Sequence, residues 1–98
     1  MNKEYWNSLD QLVKANGFEV ERPKDSVHPK YPNYIYPLDY GFIPGTSSDD
    51  GAEIDAWRGS LKETKVTGLA LTHDPTKKDI ETKILIGCSP DDLSLIHI

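Results

Sequence analysis

Residues 36–55 read YPLDYGFIPGTSSDDGAEID, a strand pattern followed by a cluster of carboxylates. Its first half holds a short apolar run, Tyr40 to Ile43, closed by Pro44-Gly45, the pattern of a strand ended by a forced turn. Its second half sets Asp49, Asp50, Glu53 and Asp55 within seven residues around Gly51. Four carboxylates this close repel one another unless cations sit among them. They also suit a solvated acidic turn between two strands, and composition leaves both readings open. A calcium loop of the EF-hand type is excluded: with Gly51 at its sixth position the twelfth is Trp57, where a bidentate Glu is required. If Asp55 lies one residue into a strand, Ile54 and Ala56 point to a core and Asp55 to the other face. There, with Asp50 at the lip of the turn, it can meet a hard cation. The phenols of Tyr36 and Tyr40 are apt donors to phosphate oxygens, and equally apt core groups.

Around this stretch the spacing predicts one N-terminal helix and a series of short strands. Tyr5, Trp6, Leu9, Leu12 and Val13 form a stripe at helical spacing, with Asn2 as cap and Asn16-Gly17 as a left-handed stop, so residues 3–15 are expected to be helical. Phe18 to Glu21 alternates apolar and polar as a half-buried strand does. Further strands are expected at Tyr34–Tyr36, Tyr40–Ile43, Ile54–Trp57, Lys65–Thr72 and Glu81–Gly87, separated by Pro, Gly and Asp turn signals. Short strands at this spacing point to a small barrel in a mainly β, α+β domain. The intervening stretch RPKDSVHPKYPN, residues 22–33, holds three prolines beside Arg22, Lys24, His28 and Lys30. It reads as a solvated loop or as a semi-rigid basic loop that meets an anion.

Size and charge exclude several classes. With 98 residues the chain is expected to form one domain, so one fold carries both stability and function. A formal charge of −5 argues against a general nucleic-acid binder, which needs positive charge facing the phosphates. Cys88 is the only cysteine, which removes disulfides and cysteine-based zinc sites and leaves a buried, inert thiol in a reducing compartment. No stretch approaches the roughly 18–20 apolar residues of a membrane span, and no signal peptide is evident. A cytoplasmic protein with no membrane partner is the expectation. A chain this small would gain stability by forming a homo-oligomer.

The two linked motifs carry a resemblance. YPLDYGFIPGT followed by DGAEID resembles the soluble family I inorganic pyrophosphatases, in which a YPxDYGFIPGT-like segment precedes a D-G-D-P-x-D signature. ERPKDS is similar to the family's IPKGS segment and Glu81 to Leu85 to its D-x-K-[IL] strand, so the resemblance spans about Val20 to Ile86. It implies an oligonucleotide-binding-fold-like barrel in which carboxylates hold magnesium, activating water for attack on inorganic pyrophosphate. Carried over by residue, it implies metal ligands at Asp50, Asp55, Asp74 and Glu81, catalytic roles for Asp50, Asp55 and Tyr40, and substrate contacts from Lys24, Tyr36, Tyr40 and Lys83. Glu81 stands where the family has Asp, and the interval from Asp74 is longer than usual, which makes Asp79 a rival ligand.

Three departures bear on activity. Ala52 occupies the middle Asp of the signature, the carboxylate implied to accept a proton from the attacking water, and Ala cannot accept one. Glu53 is a substitute base, although a place within the strand would turn it to the opposite face. The family's additional hairpin is missing between RPKDS and YPLDYG, where only nine residues remain, so His28 and Lys30 are candidates to supply its positive charge. Arg58, in the unusual run Trp57-Arg58-Gly59-Ser60, offers a bidentate fork for phosphate or is a surface arginine. Lys77 and Lys78 read as turn residues. The implied function is magnesium-dependent pyrophosphate hydrolysis; the alternative is a weak or inactive module on the same fold that binds metal, pyrophosphate or a nucleotide.

At the end, Ser89-Pro90-Asp91-Asp92 announces a helix with a capping box. The final six residues, LSLIHI, match one reading frame of a transposon-derived sequencing adapter. Residues 1–92 are therefore expected to be the domain, with a truncated C-terminal helix, and residues 93–98 a non-native tail.

Overall fold

The computed structural model describes residues 3–96. Helix α1 (Lys3–Asn16) is followed by strands β1 (Glu19–Arg22), β2 (Asp39–Ile43), β3 (Ile54–Arg58), β4 (Val66–Asp74) and β5 (Asp79–Ile86), and by a short helix α2 (Pro90–Leu95). The fold is mainly β with helices added, as the spacing predicts. Gly17 ends α1 at φ +81°, its N–H bonding the Val13 carbonyl at 2.7 Å. The expected cap, Asn2, lies outside the described residues.

The strands form one sheet in the order β1-β2-β3-β5-β4, antiparallel throughout except for the parallel pair β3–β5. A partly open five-stranded sheet is compatible with the oligonucleotide-binding fold expected from the motifs. It does not close into a barrel. β1 and β4 are its edges, and the four residues of β1 offer a short partner for the nine of β4. The strand expected at Tyr34–Tyr36 is reduced to one bridge, Val27 to Ile35. Pro32 and Pro37 flank it, and neither can donate to a ladder.

Alternation along the strands gives the sheet two apolar faces. Trp6, Leu9 and Val13 of α1 cover the first, packing on Ile43, Ala56, Val66, Ile84 and Ile86. Asp10 fastens the helix to β4 by accepting from the Val66 N–H at 2.7 Å. The second face gathers Tyr36, Leu38, Trp57, Leu85 and Cys88. Burial raises the Cys88 thiol to about 11, so it stays protonated and unreactive. Gly41 in β2 is required by packing: a Cβ there would overlap the Glu19 carbonyl of β1, beside the irregularity in the β1–β2 register.

Helix α2 begins as its sequence announces. The Ser89 hydroxyl accepts from the Asp92 N–H at 3.1 Å, and Asp92 Oδ2 accepts from the Ser89 N–H at 2.9 Å. The same Oδ2 accepts from the N–H and hydroxyl of Ser60, at 2.8 and 2.9 Å, and so ties α2 to the loop after β3. The helix extends through Leu95, into the segment expected to be foreign, and Ile96 packs against the second apolar face.

These bonds, first the one from the Ser60 N–H, hold the Asp92 carboxyl down at about 2. An unfolded Asp takes up its proton near its ordinary value of about 3.9, before the folded one does. The stabilisation is therefore complete above that value and is lost as pH falls toward 2. Asp92→Ala is expected to lower stability by about 1–3 kcal/mol at pH 7 in urea unfolding, because it orphans the Ser60 and Ser89 donors. The gap between wild type and variant is expected to narrow below pH 4.

Candidate active site

The parallel pairing of β3 with β5 sets Ala56 against Ile84 and Trp57 against Leu85, which brings Asp55 beside Lys83. The antiparallel pairing of β2 with β3 sets Tyr40 against Trp57. As alternation predicts, Ile54 and Ala56 join the helix-covered face, and Asp55 points to the other. Three strands thus contribute Tyr40, Asp55, Glu81 and Lys83 to one cluster.

Lys83 is its centre. The residue is 8% exposed, and its ammonium donates to the Tyr40 hydroxyl at 2.6 Å and lies 3.5 Å from both Asp55 Oδ2 and Glu81 Oε2. A buried ammonium requires such partners to offset lost hydration. The ammonium also sits 4.9 Å from the centre of the Tyr40 ring. Burial, then the charge of Asp55 and the hydrogen bond to it, raise the Tyr40 phenol well above its ordinary range. Tyr40 consequently keeps its proton. Asp55 and Glu81 each leave over a third of their side-chain surface exposed, so the cluster is open to ligands. Two carboxylates around one ammonium leave the trio net negative, and a divalent cation would reverse its sign.

A groove of about 460 Å³ is lined on one side by Asp50, Ala52, Glu53, Asp55, Asp79 and Glu81 and on the other by apolar residues of α1 and the helix-covered face, among them Leu9, Ile54, Leu69 and Ile84. Asp50 stands at the turn as expected, its Oδ1 accepting from the Ser48 hydroxyl at 2.6 Å and the Ala52 N–H at 2.9 Å. These bonds, that of Ser48 first, lower its pKa. Gly51 completes the turn at φ +84°. Glu53 precedes β3, which begins at Ile54, and it lines the groove together with Ala52 and Asp55.

Other expected residues lie elsewhere. Asp74 sits at the β4–β5 turn, where its Oδ1 accepts from the Thr76 and Lys77 N–H groups, which lower its pKa. It does not line the groove, whereas its rival Asp79 does. Lys24 is exposed; its backbone N–H bonds Asp39 Oδ1 at 2.8 Å, and it lines neither this groove nor the aromatic pocket beside it. Arg58 differs from its expected role. Its guanidinium donates to the carbonyls of Gly59, Leu61, Lys62 and Ile86, clamping the loop after β3 where a phosphate contact was anticipated. Tyr36 is 7% exposed and lines that aromatic pocket together with Tyr40 and Lys83. The proline-framed loop adds His28, Tyr31 and Tyr34, of which sequence reasoning had singled out only His28. The signal was the three-residue spacing of three aromatic rings between prolines.

The donors present are oxygens, which suit a hard cation such as magnesium. Among the described residues, however, no three His, Cys, Asp or Glu side chains converge as a ready-made metal group. Lys83 occupies the space between Asp55 and Glu81 that a cation would share.

Comparison with known proteins bears on this geometry. The chain is 35% identical to an inorganic pyrophosphatase of Picrophilus torridus over a match covering 62% of this chain and 38% of that protein. It is 36% identical to an inorganic pyrophosphatase of Thermus thermophilus, with 65% and 39% covered. The matches thus span under two fifths of the length of these curated relatives. No helix among the described residues is long and apolar enough to cross a membrane. Residues 14–86, which hold β1 to β5 and the whole Tyr40–Asp55–Glu81–Lys83 cluster, match the family model of inorganic pyrophosphatase, and the chain belongs to that family.

Proposed function

We propose that this chain hydrolyses inorganic pyrophosphate with magnesium, and that it does so slowly. The observation that carries the reading is the cluster on β2, β3 and β5: a buried ammonium, a protonated phenol and two accessible carboxylates within one another's reach. Asp55 and Glu81 would hold magnesium, with Asp50 and Asp79 bordering the same groove. Bound there, the metal supplies water activation and neutralises substrate charge. Lys83, released from part of its carboxylate pairing, would turn its ammonium to a phosphate oxygen. Tyr40, kept protonated by its surroundings, would donate a hydrogen bond to a second oxygen. Tyr40 is held by packed strands and requires little reorganisation as charge develops, whereas Lys83 first exchanges partners.

The proton of the attacking water is where this chain departs from its family. Ala52 borders the groove with a methyl group where a carboxylate is implied. Glu53, outside the strand and lining the same groove, would accept the proton in its stead. Loss of a positioned base costs about 10²- to 10⁴-fold in rate. Ala52 therefore also favours a second reading, a module that binds pyrophosphate with metal and turns it over little or not at all.

A phosphate-release assay with magnesium and pyrophosphate separates the readings. Wild type is expected to release phosphate above an Asp55→Ala control, and chelation with EDTA is expected to abolish the difference. Release no faster than the control, together with tight binding of a non-hydrolysable analogue in calorimetry, would select the binding module. Ala52→Asp is expected to raise kcat by about 10²-fold or more. An unchanged kcat would show that another group already serves as base.

A further inference from the structure

Inorganic pyrophosphate leaves the aromatic pocket unexplained. Beside the carboxylate cluster, on the same face of the sheet, a pocket of about 430 Å³ is walled by His28, Tyr31 and Tyr34 from the loop and by Tyr36, Tyr40 and Trp57 beneath them. Among the described residues, Lys83 brings the ammonium to this lining of rings. Pyrophosphate has no apolar surface to place against six rings. A site of this volume and lining suits a ligand with a flat ring.

The rings are ordered. His28 lies parallel to Tyr36, within 5° and with centroids 5.8 Å apart, and Tyr34 meets Tyr36 edge-on at 5.3 Å. His28 Nδ1 accepts from the backbone N–H groups of Lys30 and Tyr31, which fixes the loop and leaves the ring proton on Nε2. Tyr31, 59% exposed, stands at the mouth, its centroid 5.0 Å from that of His28. Within the lining, Trp57 Nε1 is buried and has no hydrogen-bond partner among the described residues. Lys83 joins the two compartments: its ammonium lies over the Tyr40 ring on one side and between Asp55 and Glu81 on the other.

We infer that the pocket takes the base of a nucleoside diphosphate whose phosphates lie at Lys83 and Tyr40. The inference rests on the proposed phosphoanhydride site and names its organic substrate. The base stacks among Tyr31, Tyr34 and His28, as bases stack on aromatic side chains elsewhere, while the diphosphate meets the ammonium and any cation held by Asp55 and Glu81. Hydrolysis there adds water across the phosphoanhydride, releasing phosphate from the β position and leaving the nucleoside monophosphate.

Calorimetry with magnesium present, comparing ADP and UDP with pyrophosphate, tests this on wild type, Tyr31→Ala, Tyr31→Phe and Tyr34→Ala. A nucleoside diphosphate is expected to bind about 5- to 150-fold more tightly than pyrophosphate. Tyr31→Ala and Tyr34→Ala are expected to erase most of that advantage without changing pyrophosphate binding, and Tyr31→Phe to preserve it. Tyr31 is exposed, so its variants test stacking even if Tyr34→Ala fails to fold. Pyrophosphate binding as tightly as the nucleotides, or nucleotide binding unaffected at Tyr31, overturns the inference and leaves the phosphoanhydride site standing. Binding of neither overturns both.

Discussion

The parallel pairing of β3 with β5 is the constraint on which the site depends. It crosses a gap in sequence to set Asp55 beside Lys83, and β2, paired antiparallel on the other side of β3, delivers Tyr40 to the same face. The opposite face of those strands is packed beneath α1 by Ile43, Ala56, Ile84 and Ile86, so a shift of register by one residue would exchange the site for the core. The face that carries the cluster has an apolar core of its own in Tyr36, Leu38, Trp57 and Leu85, and the packing of both faces fixes where the charged side chains lie.

Lys83 shows how the polar face is kept. An ammonium this well buried is tolerated because a hydroxyl and two carboxylates surround it. The carboxylates are in turn prevented from repelling one another by the ammonium between them. Asp55 and Glu81 nonetheless keep over a third of their side-chain surface exposed. Arg58 and Asp92 serve the frame, one clamping the loop after β3 through four carbonyls and the other pinning that loop to α2.

Much of this was legible in the sequence, and the limits have physical causes. Helix α1, the strand positions after Pro37, the outward aim of Asp55 and the capping of α2 follow from period, turn chemistry and side-chain hydrogen bonding, which are local. The pairing of Asp55 with Lys83 came only from the resemblance, since strand order is not a local property. The sequence left Arg58 open because a guanidinium serves a carbonyl as readily as a phosphate, and the path of the loop engages it with carbonyls. Glu53 lies just before the strand, which begins at Ile54, so period alone does not assign it a face. The aromatic pocket was missed because prolines marked its loop as irregular, while His28 organises that loop by accepting two backbone hydrogen bonds.

The central claim is that Tyr40, Asp55, Glu81 and Lys83 form a single site for metal and phosphate. Side-chain NMR of the Lys83 ammonium, the Tyr40 ring and the carboxylates tests it most directly, in a titration with magnesium and then with a non-hydrolysable pyrophosphate analogue. Magnesium is expected to shift the Asp55 and Glu81 carboxyl signals and release Lys83 from them, and the analogue to move Lys83 and Tyr40 together. Shifts confined to the Asp50 and Asp74 turns, with the Lys83 and Tyr40 signals unmoved, would contradict it.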